Sequence, residues 1–229
     1  MRWFFTVSLL VLPAVAMAQD NEAEKLYRSF EKKLAAAKTF KVAFDLEVNA
    51  LQLKYKGDVT VSVGNKLTAS AAGTQDNKPD SWALVSDGAK IGLKHNKEGR
   101  EGRLELAATP QQLSAYFTGH LLKGGVLLAL QDMKLKRLAE NSPDKIGLTG
   151  FKIVGKEKIG DREAQVVEYT AQAKEGKLAC RLWFESKTNM PLKRTVELSE
   201  GREQFRIVEL YTNWQLDPKL KDDEFALPK

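Results

Sequence analysis

Strict alternation constrains this chain more than any other feature. Phe40, Val42, Phe44, Leu46 and Val48 take every second position, with Lys41, Asp45 and Glu47 between them. That period puts one face of a β-strand in a core and the other in water. The same pattern recurs in Val59, Val61 and Val63, in Leu67, Ala69 and Ala71, and in Leu178, Cys180, Leu182 and Phe184. Shorter versions run through Phe151 and Ile153, Ala164 to Tyr169, Val196 and Leu198, and Phe205 and Ile207. Gly64-Asn65, Ser86-Asp87-Gly88, Gly160-Asp161, Ser186 to Pro191 and Glu200-Gly201 punctuate these runs. Turn signals about every eight to twelve residues predict an antiparallel meander curled into a sandwich or a barrel. A slip of phase at Asn49-Ala50 predicts a bulge or tight turn, because a one-residue slip would turn the apolar face outward. The polar stretches Gly73–Asp80 and His95–Arg103 read as loops.

Two helical patterns interrupt the strands. After Asp20 or Asn21 as a cap, Ala23, Leu26, Tyr27, Phe30, Leu34 and Ala37 recur at helical spacing, and the helix should end near Lys38. In the middle of the chain Thr109-Pro110 reads as a helix start, with Pro where no N–H is needed. Tyr116, Phe117, Leu121 and Leu122 follow, Gly124-Gly125 breaks the pattern, and Val126, Leu127, Leu128 and Leu130 continue it. Asn141-Ser142-Pro143 marks a loop, and Phe225 and Leu227 should anchor the tail.

Residues 1–18 read as a secretory signal peptide. An apolar stretch from Trp3 to Val15 precedes Ala16-Met17-Ala18, whose small-x-small spacing suits cleavage after Ala18. That stretch is shorter than the ~20 residues needed to span a bilayer, and no cysteine near the cleavage point could carry a lipid. The expected mature chain, 19–229, is exported to a periplasm without a transmembrane span, and its length suits a single domain. One Cys cannot form an internal disulfide, and two His with it are too few for a zinc cluster, so no metal is expected. The 36 Lys+Arg against 30 Asp+Glu are spread thinly, which argues against nucleic acid as a partner.

Chemistry is sparse. The sequence has no G-x-S-x-G elbow, H-E-x-x-H, P-loop or G-x-G-x-x-G motif. His95 sits among Asn96, Lys97 and Glu98 and would need a partner to act as a base. His120 reads as a structural residue on an apolar helix, and Glu98 with Glu101 as a solvated pair among Lys97, Arg100 and Arg103. Cys180 shares its strand face with Leu182 and Phe184 and should be buried and inert. No catalytic residue and no cofactor is assigned, and the chain is read as a non-enzyme. The central apolar residues have two readings. They are plain helix-on-sheet core, or they form a lid hinged at Gly124-Gly125 over an apolar cavity.

Five segments resemble a known family. Leu34 to Phe44 matches a helix running into a long first strand, and Trp82 to Ile91 carries an Asp-Gly hairpin. Phe151 to Glu168 resembles a G-x-E-x-x-G-x-x-A-x-x-V strand pair, Leu182 to Lys193 an L-W-x-D-x-x-T-x-x-P-L-K strand and turn, and Leu216 to Pro228 an L-x-x-x-x-F-x-x-P ending. In this order they are similar to the LolA-like superfamily of periplasmic outer-membrane lipoprotein carriers and lipoprotein-sorting proteins. Glu185 stands where many members carry Asp, and His95–Arg103 is a further departure.

The resemblance implies a mainly β fold with helices: a curved, half-open antiparallel β-barrel, covered by the N-terminal helix and a central helical lid. It implies a periplasmic carrier that shields acyl chains of lipid or lipoprotein, a transport or chaperone role without catalysis. Phe44, Leu46, Trp82, Leu84, Leu182 and Phe184 are the candidate lipid-binding cavity. Tyr116, Phe117, Leu121, Leu122 and Leu127 are the candidate lid. Family carriers hold the lid closed with a barrel arginine, and the sequence alone does not assign one here. A monomer is expected, with envelope proteins of the lipoprotein pathway as protein partners. The alternative is a sensor or regulatory interaction module of the cell envelope built on the same cavity.

Overall fold

The computed structural model describes residues 14–98, 105–131, 143–173, 176–200, 203–221 and 223–227. Helix α1 (Ala14–Ala36) leads into a meander of β1 (Thr39–Val48), β2 (Leu53–Ser62), β3 (Lys66–Gln75), β4 (Lys78–Asp87), β5 (Lys90–Lys97) and β6 (Glu105–Ala108). Helices α2 (Leu113–Gly124) and α3 (Val126–Gln131) follow, with a 3-10 turn at Pro143–Lys145. A second meander then runs through β7 (Gly147–Ile159), β8 (Arg162–Ala173), β9 (Gly176–Glu185), β10 (Pro191–Glu200) and β11 (Glu203–Leu216).

The two meanders make one antiparallel sheet of 11 strands in the order β6-β5-β4-β3-β2-β1-β11-β10-β9-β8-β7. They join where the first strand pairs with the last, with Phe40 opposite Leu216 and Val48 opposite Ile207. β6 and β7 form the two edges, so the sheet is open rather than closed, and the expected half-open barrel with helices is borne out. Alternation does what the pattern promised. Phe40, Val42, Phe44, Leu46 and Val48 are all buried, and their strand partners put Tyr55, Val59 and Val61 on the same inner face. One packed cluster gathers this face with the apolar sides of all three helices. Phe225 is buried, its ring 5.9 Å from the Lys66 ammonium, and Glu224 pairs with Lys41 at 2.6 Å, so the tail is tied back to the sheet.

The structure corrects four local readings. Gly73–Asp80 is not a loop: Asp76 and Asn77 adopt left-handed backbone (φ 53° and 60°), so a two-residue turn lets Gly73 pair with Asp80 and Gln75 with Lys78. Asp and Asn tolerate that conformation better than other side chains, and polar composition concealed a hairpin. The stretch from His95 is likewise strand as far as Lys97, and residues 99–104 lie outside the described part. Thr109-Pro110 does not open α2, because Gln112 takes a left-handed φ of 60° and delays the start to Leu113. The Thr109 hydroxyl hydrogen-bonds Ser86 Oγ at 2.9 Å instead. Finally, α1 starts upstream of Asp20, at Ala14; its end at Ala36 falls near Lys38 as expected, and the Lys38 N–H already donates to Asp217 at the sheet end. The phase slip at Asn49-Ala50 is a turn between β1 and β2. Residues 1–13 of the expected leader and Asn141-Ser142 lie outside the described residues.

Candidate functional site

The residues expected to line a cavity share the inner face of the sheet. Phe44, Leu46, Leu84, Leu182 and Phe184 are buried to 2% exposure or less, while Trp82 is only half-buried. The expected lid residues Phe117, Leu121, Leu122 and Leu127 project from α2 and α3 into the same packed cluster. Tyr116 is buried beside them, its ring 4.3 Å from that of His120. The two sets therefore meet one another. Any ligand that uses the inner face must exchange places with helix side chains. A surface depression of about 440 Å³ lies apart from this apolar face, around Glu47, Lys54, Thr74 and Arg206 at the far end of β1–β3.

Polar groups as well as apolar ones fix the junction of α2 and α3. A helix leaves its last four carbonyls and first four N–H groups without helical partners. At the end of α2, Arg194 of β10 donates from Nη1 to the Leu121 carbonyl at 2.6 Å and from Nη2 to the Leu122 carbonyl at 2.7 Å. The hydroxyl of Tyr27 from α1 donates to the same Leu122 carbonyl at 2.9 Å. At the start of α3, Glu209 of β11 accepts the Leu127 N–H at 2.9 Å, and its other oxygen accepts the Tyr211 hydroxyl. Arg194 and Glu209 stand directly opposite each other in the β10–β11 register, and both are buried, at 1% and 0% exposure. The cation meets the negative end of one helix and the anion the positive end of the next, which is the favourable sense of the helix dipole.

Gly125 lies between the helices with φ 96°, and a Cβ there would overlap the Glu209 carboxylate. Two demands, a positive φ and a close approach, therefore require glycine here. Burial opposes the charge on Arg194, but the facing Tyr169, Tyr211 and Glu209 outweigh it, and the guanidinium pKa rises above its ordinary value. Burial likewise drives the Tyr211 phenol well above its usual range; Arg194 works against that shift, and Glu209 adds to it. The cluster thus holds one cation and keeps its phenols as donors.

The sequence reading missed Arg194 and Glu209, although a signal existed. Each occupies an inward slot of its strand, Arg194 before Val196 and Glu209 between Ile207 and Tyr211, where alternation demands an apolar residue. His95 also differs from its expected place. Its Nε2 lies 2.7 Å from Asp80 Oδ1, and the other Asp80 oxygen accepts the Tyr55 hydroxyl. His120 is buried on α2. Cys180 is buried on the inner face, and burial pushes its thiol up to about 11. Among the described residues there is no metal-binding cluster, and no helix is long and apolar enough to cross a membrane.

The model of a family described as "Predicted periplasmic protein (DUF2092)" matches residues 23–228. No curated protein matches the chain. Among solved structures, the lipoprotein LppX from Mycobacterium tuberculosis is 13% identical, with a TM-score of 0.52 over 89% of this chain and 100% of that one. LprF from Mycobacterium bovis is 13% identical, with a TM-score of 0.50 over 88% and 97%. A LolA superfamily protein from Nitrosomonas europaea is 12% identical, with a TM-score of 0.35 over 90% and 97%. At these identities the likeness is one of fold alone, and LppX and LprF carry it.

Proposed function

The chain belongs to the DUF2092 family of predicted periplasmic proteins, and from that premise we propose that it is a periplasmic carrier of acyl chains. In this reading the signal peptide is cleaved after Ala18, and the shortened α1 remains as a fixed wall. The ligand's hydrocarbon lies on the inner sheet face at Phe44, Leu46, Trp82, Leu84, Leu182 and Phe184. Tyr116, Phe117, Leu121, Leu122 and Leu127 move off that face to admit it.

One observation carries the proposal: the α2–α3 junction is fastened by Arg194 and Glu209 through hydrogen bonds to backbone. Such a fastening is directional. It is complete when seated and lost within a short displacement, whereas apolar contact weakens gradually with area. A lid that exchanges its own apolar side chains for the ligand's chain loses little apolar burial on opening, because each buried CH₂ contributes ~0.8 kcal/mol on either partner, so the polar fastening sets the cost.

The test is uptake of an environment-sensitive fluorescent acyl probe by delipidated protein, with native mass spectrometry of protein purified from a periplasm. Saturable uptake and co-purifying lipid are expected. Absence of both would overturn the carrier reading.

A further inference from the structure

On the inner face of β4 and β5 the apolar pair Leu84–Leu93 is followed by Trp82 opposite His95, and then by Asp80 opposite Lys97. The apolar surface thus gives way to a polar rim. Asp80 is the unusual member. Its side chain is only 3% exposed, yet it occupies a slot where an apolar residue would serve packing better. Both of its oxygens are engaged, one by the Tyr55 hydroxyl and one by His95 Nε2. Tyr55, Gly73 and Asp80 are successive cross-strand partners, and the missing side chain of Gly73 lets the phenol reach over β3 to the carboxylate. Burial and Asp80 together push the Tyr55 phenol pKa up, so it remains a donor.

The consequence is a fixed imidazole. His95 is 48% exposed, and its Nε2 is held by a buried carboxylate that a phenol holds in turn. Its other nitrogen, Nδ1, has no hydrogen-bond partner among the described residues. Strand alternation puts the exposed Lys97 on the same face, one pair further toward the rim. A half-buried indole, an oriented imidazole and an ammonium therefore stand in order where the apolar face ends.

We infer that this rim binds the acidic headgroup of the acyl ligand, its oxyanion bonded to His95 Nδ1 and facing Lys97, while the chain runs along Trp82 and Leu84. This inference rests on the carrier reading and adds the class of ligand: an acyl chain ending in a carboxylate or phosphate. Asp80 and Tyr55 are positioning residues that hold the ring. The proton between headgroup and ring comes from either partner, and the resulting charge-assisted bond is one that a neutral ester cannot make.

The experiment displaces a bound acyl probe with a long-chain fatty acid, with its methyl ester, and with inorganic phosphate. It uses the wild type, His95→Gln and Tyr55→Phe, with each denaturant midpoint as a folding control. The acid should compete about tenfold better than the ester in the wild type. That preference should vanish in His95→Gln and shrink in Tyr55→Phe, with ester affinity unchanged in both, and phosphate alone should leave the probe in place. Equal competition by acid and ester in the wild type, or a preference that survives His95→Gln, overturns the headgroup site and leaves the carrier reading standing. Displacement by phosphate alone overturns it too, since the site would then need no acyl chain. Failure of the probe, acid and ester to bind at all overturns the carrier reading itself, and the headgroup site with it.

Discussion

Two helical elements lie on the same concave sheet and are held by different forces. α1 is attached through rings: Tyr27 packs 5.1 Å from Phe151 and 5.4 Å from Tyr169, and Phe30 packs 5.9 Å from Phe184 and 5.8 Å from Trp214. The α2–α3 junction also buries apolar residues, but its ends are fixed by a guanidinium, a carboxylate and a phenol bonded to backbone. Ring contacts gain mainly from the area they bury and add up pair by pair, so α1 should leave the sheet only when the sheet itself unfolds. Buried charges bonded to backbone are costly to half-satisfy, so the junction should behave as a unit, seated or released. In the carrier reading proposed above, that difference makes α1 the wall and α2–α3 the movable cover.

Substitutions can break or sharpen that contrast. The largest effects are expected at Phe30 and Arg194. Phe30→Ala should cost ~3–5 kcal/mol by leaving a cavity under α1. Arg194→Met should cost a similar ~3–5 kcal/mol, because Glu209 is left buried without its opposite charge. The two differ in rescue: adding Glu209→Gln should restore part of the Arg194→Met loss and none of the Phe30→Ala loss. Urea midpoints of the four variants measure this, and an Arg194→Met protein as stable as the wild type would remove the polar fastening from the account.

Gly125→Ala comes next. A residue with a Cβ forced to φ 96° costs about 1–3 kcal/mol from the backbone alone. The overlap with the Glu209 carboxylate adds to that, so the variant should lose stability and bind acyl probe at a changed rate. Tyr27→Phe should be milder, ~1 kcal/mol, because it keeps the ring on α1 and removes only the bond to the Leu122 carbonyl. If Tyr27→Phe proved as damaging as Phe30→Ala, the distinction between ring contact and polar fastening would fail.

The smallest effect concerns Cys180. Its thiol is raised to about 11 from an ordinary 9.0, chiefly by burial. The folded state therefore keeps its proton while the unfolded chain loses it, so this contribution is intact below pH 9 and stability declines as pH climbs toward 11. At neutral pH a thiol reagent should leave the folded protein unlabelled, and rapid labelling would show that β9 does not bury this side.

Where each side chain answered only to its own strand, the sequence was readable. Phe40 to Val48 and Leu178 to Phe184 state their inner faces outright, and Phe225 its burial, because apolar alternation is a local signal. The pairing of β1 with β11 was not readable, since nothing local brings Phe40 to Leu216. The fastening was hidden for a similar reason. Arg194 and Glu209 look like solvated charges in sequence, and only their register opposite each other, under the ends of two helices distant in sequence, makes them a unit. His95 was concealed by its polar neighbours Asn96 and Lys97, although alternation alone puts it on the face of Ile91 and Leu93. Polar composition signals a loop only where both strand faces are wet. Here the rim of the inner face is polar as well.

Native-state hydrogen exchange tests the central claim most directly, because it reads the opening free energy of each helix separately. Amides of α2 and α3, residues 113–131, should exchange through a local opening well below the global unfolding free energy, and saturating acyl probe should shift that opening. Amides of α1, residues 22–36, should exchange only with global unfolding, with or without probe. If α2–α3 exchanged solely through global unfolding, in step with α1 and indifferent to probe, both elements would be plain core and the account of a movable cover would be contradicted.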